Sequence, residues 1–518
     1  MTVDLSLLTR LSERPGLTNA SERAYLDWFH GQSAARLPGV FGSGFWDTLL
    51  LQATVTEPCV LHAVLALSCA HKSSSIIHPD RGSPKSLPGP DKHEQFCLRQ
   101  YSSAIAGLKP HFMSNSKSSV RVALIACVIF TCLEFVRGHY QSGLSHFHCG
   151  LRLLGQLKAV ARGSDGIDNP ALSKSEQSVD AWLAEQFARL HLQARMFGQS
   201  RSTPKAAINQ SGHILPISFS SVTQARKCLD RLIADATTLS ERHKATLTTS
   251  PHALPSAESL EQQSKLQYAL ASWLEAYDKS CASLAQHGRP KKNIEAVMGY
   301  KILHSYYLIA RVTVATCLRS LDGELAFDAF THDFRAIMRN SAQLGEIVFR
   351  DAPGTKFQHD PALSPIVADM GWITPLYFTA LKCRRRAVRR KAILFLSHGD
   401  CKEGIWDAAL AAQVARQVVE IEEEGLPGGG GLDGEFGRLA DAEDEEEEEE
   451  NGGGEGCERP SLPLPSEASR VFDVEVLLPE GKGSGLGVLC KRRRNDGSCE
   501  TIARYREVGS GRWTAGVA

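Results

Sequence analysis

An all-α fold, a large irregular helical bundle or solenoid-like domain, is what this chain predicts, and three observations carry it. From about residue 20 to 425, apolar residues recur at three- and four-residue spacing rather than in alternation. Ser, Pro and Gly interrupt those runs where helices start and stop. No self-similarity of 34 or 40 residues is present, which argues against a regular repeat array.

The elements follow in order. Residues 1–20 read as an N-terminal tail and 21–425 as one helical domain. RAYLDWFHGQSAARL (23–37) opens it. FWDTLLLQAT (45–54) leads through Glu57 and Pro58 into CVLHAVLALSCAH (59–71), and Pro58 suits a first helical turn. The Pro/Gly/Ser stretch 73–92 is a linker loop. EQFCLRQYSSAIAGL (94–108) places Phe96, Cys97, Tyr101, Ile105 and Leu108 on one face. RVALIACVIFTCLEFVRGHYQSGLSHFHCGLRLLGQL (121–157) reads as a buried helical hairpin, with a turn between Gly138 and Gly143. Helices follow over 179–197, from 218 after Ser220 or Ser221 as N-cap, and over 258–285, 292–320, 324–349, 365–396 and 404–424. Residues 426–468 are Gly-rich and acidic, with Glu445 to Glu450 unbroken, and are expected to be disordered. After Pro465 the pattern alternates: VFDVEVLL (471–478), LGVLC (486–490) and TIARYREV (501–508) predict a small β-hairpin-like segment, 469–518.

Composition narrows the function classes. Lys plus Arg and Asp plus Glu number 58 each, so no global basic field attracts nucleic acid. Many of the 14 cysteines sit in apolar runs, as free thiols do in a reducing compartment. The start MTVDLSLLTRLSERPG lacks the pattern of a secretory signal. Between Arg121 and Glu134 the apolar run is shorter than the roughly 20 residues a membrane span needs, which predicts a core helix and no membrane partner.

No motif for catalysis, metal or phosphate binding is complete in the chain. No C-x2-C occurs, and Cys127 and Cys132 would point about 140° apart on a helix. His146, His148 and Cys149 do not converge on one face. His93 and Glu94 start a zinc-protease pattern, but Cys97 stands where its second His belongs. There is no G-x-S-x-G, and Gly481-Lys482 lacks the rest of a phosphate loop. No catalytic, metal or cofactor residue is therefore expected. Two basic clusters remain: Arg384, Arg385, Arg386, Arg389, Arg390 and Lys391 on the outer face of a helix, and Lys491, Arg492, Arg493 and Arg494 in an exposed turn. Both read as solvated surfaces, with nuclear import, or for the first an acidic partner, as the alternative. Glu134, inside an apolar helix, is expected to form a buried structural pair with Arg137 three residues on.

GFWDTLLLQATVTEPCVLHAVLALSCAH, YSSAIAGL and LIACVIFTCLEFVRGHYQSGLSHFHCGLRLLGQL, followed by FSSVTQARKCLDRL, LASWLEAYDKS, FDAFTHDFRAIM, PLYFTALKCRRRAVRRKAILFL and EGIWDAALAAQVARQVVEIEEE, resemble the helical regulatory domain of fungal zinc-cluster transcription factors. The resemblance covers about 20–425 and rests on the ordered set rather than on any one motif. It implies a nuclear transcription regulator acting through partners of the transcription machinery, homodimerisation or ligand response. Members carry a six-cysteine zinc cluster that reads DNA. These residues contain no such cluster, so its zinc ligands and DNA contacts transfer to no position here, and DNA is reached only indirectly or through a missing N-terminal cluster. The acidic block 441–450 reads as a solvated linker or as an activation segment. The alternative function is a helical interaction scaffold with no role at DNA.

Overall fold

The computed structural model describes residues 19–76, 92–114, 116–164, 178–199, 215–250, 253–287, 294–319, 323–348, 365–398, 401–426, 463–481 and 484–516. All of the expected tail before residue 19, most of the 73–92 linker and most of the acidic segment lie outside the described residues. So does the run from Glu445 to Glu450.

Helix α1 (Ala20–Trp28) starts where the Asn19 side chain accepts from the Glu22 backbone N–H at 2.9 Å, and it runs on through a π-helical turn, Phe29–Ser33. A second π turn, Phe45–Leu49, leads into α2 (Leu50–Thr56), and α3 is Pro58–Ser75 with Pro58 in its first turn. Helices α4 (Lys92–Met113), α5 (Lys117–Arg137) and α6 (Tyr140–Ser164) complete the N-terminal half. Helix α5 lies at its centre, packed on α3, α4, α6 and α7 (Val179–Met196). The unbroken buried run from Val122 to Val136 is apolar on every face because every face meets another helix. By length and composition α5 could cross a membrane, being longer than the run between Arg121 and Glu134, but 89% of its apolar window is buried inside the protein. Ser116 caps its start, accepting from Ser119 N–H at 3.1 Å. Gly138, at φ +81°, takes the left-handed conformation that ends it and turns the chain into α6.

The second half stacks α8 (Val222–Thr249), α9 (Ala257–His287), α10 (Ile294–Thr316) and α11 (Thr331–Glu346). Ser221 is the N-cap of α8. Trp273, fully buried, stacks on Tyr277 and Tyr307 and donates its indole N–H to the Ala225 carbonyl at 2.9 Å, tying α9 to α8 and α10.

The single helix expected over 365–396 is instead three pieces: strand β1 (Ile366–Val367), α12 (Ile373–Lys382) and α13 (Arg386–Ser397). The break between α12 and α13 is an extended link, with ψ of 127° at Cys383 and 114° at Arg385. Helix α14 (Ala408–Glu422) begins only after strands β2 (Lys402–Glu403) and β3 (Trp406–Asp407), capped by Asp407. The C-terminal segment is an antiparallel meander of β4 (Val471–Leu477), β5 (Gly487–Arg493), β6 (Cys499–Arg506) and β7 (Trp513–Gly516). The fourth strand was not foreseen; Gly509, Gly511 and Ser510 make the turn that reaches it, and only two of its residues are apolar enough to signal a strand. Val476, Val488 and Cys490 form the buried face of this sheet and belong to the same core as the helices.

Candidate functional site

The densest charge chemistry lies where the C-terminal sheet meets the helical body, and it is built from an extended link, two helix ends and one strand. The link between α12 and α13 turns the Arg384 side chain inward. Its guanidinium donates to Glu422 at 2.8 Å, to Glu324 at 2.7 Å and to the carbonyl two residues back, Lys382 O, at 2.7 Å. One turn into α13, Arg389 donates to the other Glu422 oxygen at 2.8 Å and to Ala380 O at 3.2 Å. Arg390 reaches Glu423 at 3.1 Å. Lys382 binds both oxygens of Glu324 at 2.9 and 3.0 Å. The Glu422 carboxylate also accepts the Val471 backbone N–H at 2.8 Å, so the first residue of β4 is held by the last residue of α14. Beside it, Arg470 forks onto Asp328 with two bonds of 2.8 Å and donates to Glu324 O at 2.9 Å. Glu467 in return accepts the Leu325 N–H at 2.9 Å.

The side chains of Arg384, Arg389 and Glu422 are fully buried. Burial opposes the charge on Glu422, yet Arg384 and Arg389 outweigh it and hold the carboxyl below its ordinary value; Glu324 is held down likewise by Lys382 and Arg384. A buried charge in this setting persists only because it is paired.

This corrects the expected outward-facing cluster. Arg384, Arg389 and Arg390 are buried, Arg386 approaches Glu423 at 3.5 Å, and Lys391 is half-buried; only Arg385 is exposed. Helical periodicity assigned charge to the outside, and the acids of α14 reversed that. The second cluster is corrected as well. Lys491, Arg492 and Arg493 lie on β5, half-buried, and only Arg494 stands in the turn. Lys491 pairs with Asp473 at 3.0 Å, Arg493 covers the Phe472 ring at 5.6 Å, and Arg492 and Arg494 share Glu500 at 2.6 and 2.9 Å. Their hydrogen bonds bring Glu500 down to about 2. As presented, neither cluster is an open basic patch.

Glu134 is buried, and Arg137 donates to both its oxygens at 3.1 Å while reaching Glu94 of α4 at 2.6 Å. Burial is the larger influence on Glu134 and raises its carboxyl despite Arg137. A further buried network was not anticipated. Asp369 accepts from Arg226 and, at 3.2 Å, from Arg189, and Glu403 accepts three backbone N–H groups, of Gly371, Trp372 and Ile373, at 2.9 to 3.0 Å. Glu403 thereby caps the start of α12, and burial still pushes it up to about 7.

One signal for the main network was present in the sequence. Glu422, Glu423 and Glu424 crowd the C-terminal end of a helix, where the macrodipole disfavours carboxylates, so cations from elsewhere are needed. For metal, the one triple of donor atoms within 4.8 Å of each other among the described residues is Glu57, Cys59 and His111. Burial and then Glu57 raise the Cys59 thiol, which disfavours the thiolate a metal would bind. His146 is engaged elsewhere, with the Tyr101 hydroxyl at 2.6 Å.

Among the described residues, helix α4 carries an exposed apolar row. Leu98, Ile105 and Phe112 of α4, spaced by seven, are 42%, 44% and 57% exposed.

The comparisons with known proteins point one way. The family model for the fungal specific transcription factor domain matches residues 29–346. The aspercryptin biosynthesis cluster-specific transcription regulator atnN of Emericella nidulans is 33% identical over 154 residues, 29% of this chain and 23% of that protein. Transcription regulator lscL of Purpureocillium lilacinum is 27% identical over 140 residues, 27% of this chain and 33% of that protein. The chain thus aligns with about a quarter to a third of the length of these curated relatives. No solved structure matches.

Proposed function

The chain belongs to the fungal specific transcription factor domain family, and from that premise we propose that it is the effector region of a nuclear transcription regulator, acting by contact with other proteins. The observation that carries the reading is the match over more than half the chain, onto a helical body whose central hairpin and flanking helices it includes. The buried ionic networks support a role as a rigid platform: their charges are spent on each other, holding helices and sheet in one arrangement rather than facing a substrate.

The contact surface we assign is the outer face of α4. A seven-residue repeat of exposed apolar side chains is the spacing by which one helix seats against another, and self-association through it fits that pattern. DNA is then reached through another polypeptide segment.

The test tethers residues 1–518 to a heterologous DNA-binding module in a fungal host and reads a reporter. Activation or repression relative to the module alone supports the reading. A folded, nuclear fusion that leaves the reporter unchanged overturns it and favours a scaffold with no role at DNA.

A further inference from the structure

Helices α5 and α6 cross at a point where α6 has no side chains to hold them apart. A Cβ on Gly143 would lie 2.6 Å from the Phe135 ring, and one on Gly150 would lie 3.1 Å from the Cβ of Cys127 and 2.3 Å from the ring of Phe187. The two glycines are seven residues apart and so share a face. This close crossing brings α6 at Gly150 against Cys127 of α5, with Cys149 the adjoining residue of α6, and the two thiols perturb each other's ionisation. Cys127 is buried, whereas Cys149 is partly open to solvent. Arg152, one turn further along α6, favours the charged form of Cys149. We propose that Cys149 and Cys127 form a peroxide-responsive dithiol, in which Cys149 is the attacking thiol, Cys127 the resolving one, and the product a disulfide pinning α5 to α6.

The chemistry balances with a hydroperoxide as oxidant. The Cys149 thiolate attacks the terminal peroxide oxygen, an S–O bond forms and the O–O bond breaks. The sulfur is oxidised by two electrons to a sulfenic acid, and the peroxide is reduced to alcohol, or to water in the case of hydrogen peroxide, after taking a proton. The Cys127 sulfur, giving up its proton, then attacks the sulfenic sulfur. An S–S bond forms, the S–O bond breaks, and water leaves with that proton.

The surroundings select this pair. The bond from Cys127 is the largest influence that brings Cys149 down to about 6, against burial and with help from Arg152, while Cys127 itself is raised by the same contact. Cys149 is the open member that a peroxide can reach, and Cys127, buried behind it, is the one placed to resolve. Elsewhere burial works the other way: it holds Cys97, Cys132 and Cys490 up at about 12 and Cys317 and Cys383 at about 11, as unreactive thiols. A disulfide between packed helices needs their backbones close, which the glycine crossing supplies. The link would form within the helix pair at the centre of the N-terminal half, where locking the crossing changes how the hairpin can move against α3 and α7.

The experiment uses the purified full chain. Peptide mapping after brief iodoacetamide treatment at pH 7 is expected to show Cys149 alkylated about tenfold faster than the exposed Cys499, with a pH midpoint near 6 that moves up in Arg152→Met. Hydrogen peroxide is expected to yield a Cys127–Cys149 cross-linked peptide, lighter by two hydrogens and restored by dithiothreitol. Cys149→Ser abolishes it, Cys499→Ser leaves it intact, and Cys127→Ser leaves a sulfenic acid on Cys149 that a dimedone probe captures. Alkylation of Cys149 no faster than of Cys499 in the unmodified chain, or peroxide treatment without the cross-linked peptide, overturns the proposal. These readouts are independent of reporter activity, so they fail or succeed apart from the role in transcription.

Discussion

Substituting Glu422→Gln removes one charge and almost no volume from the junction between α14, the α12–α13 link and β4. The structure sets the size of the effect. The carboxylate of Glu422 takes bonds of 2.8 Å from Arg384, Arg389 and the Val471 N–H, in a site without solvent. The amide keeps one acceptor oxygen but turns an N–H2 toward a guanidinium. Arg384 is left with Glu324, and Arg389 with a longer approach to Glu423 of 3.7 Å. Breaking a buried pair from one side costs about 3–5 kcal/mol, because the remaining cations stay desolvated. The pH dependence has a fixed sign. The folded carboxyl lies below its ordinary 4.5, so its contribution is present above 4.5 and is lost as pH falls through the lower folded value. Urea unfolding followed by far-ultraviolet circular dichroism is expected to show the full deficit at pH 7 and a shrinking one below pH 4.5. Limited proteolysis is expected to release the segment containing β4–β7 sooner than in the wild type, since the acceptor that holds Val471 loses its charge. Replacing Arg384, Arg389 and Glu422 together by Met, Met and Leu is expected to recover most of the loss, because no unpaired charge remains. A Glu422→Gln chain within about 1 kcal/mol of wild type at pH 7 would show that the junction is not held by this network.

Glu403 gives the opposite pH signature. Its folded value near 7 exceeds the unfolded 4.5, so its stabilising protonation is complete below 4.5 and is lost as pH rises through about 7. Glu403→Gln should therefore flatten the decline in stability between those values, worth at most about 3 kcal/mol, and an unchanged profile by denaturation at stepped pH would refute it. Arg494→Ala, in contrast, removes an exposed partner of Glu500 and should leave the urea midpoint unchanged by the same assay; a clear drop in that midpoint would contradict the surface assignment. Leu98→Glu with Ile105→Glu should convert any self-associated chain to monomer by light scattering while leaving the circular dichroism intact. Persistence of the associated species would move the interface away from α4.

Much of this molecule was legible before any coordinates. The 3.6-residue recurrence of Leu144, Phe147, Leu151 and Leu154 placed α6, and the apolar run from Val122 marked α5 as central, because a helix can be apolar all round only when it is surrounded. The alternation of Val474 and Val476 located β4 for the same kind of reason: side-chain direction along one element is a local property of the backbone. The destination of the charges is not local. Arg389 is at the protein's interior because Glu422 stands opposite it, 33 positions away, and nothing in the periodicity of α13 distinguishes that from solvent. The Arg384 link, the Asp369 and Glu403 sites and the Cys127–Cys149 contact belong to the same class. Sequence by itself determined that most of 20–425 is helical and packs around one core and that strands follow after 470, since hydrophobic period and turn residues decide that. Only the tertiary structure decided which charged and sulfur groups meet, since a Coulombic or thiol contact depends on a distance between elements that the chain specifies only once all of them have packed.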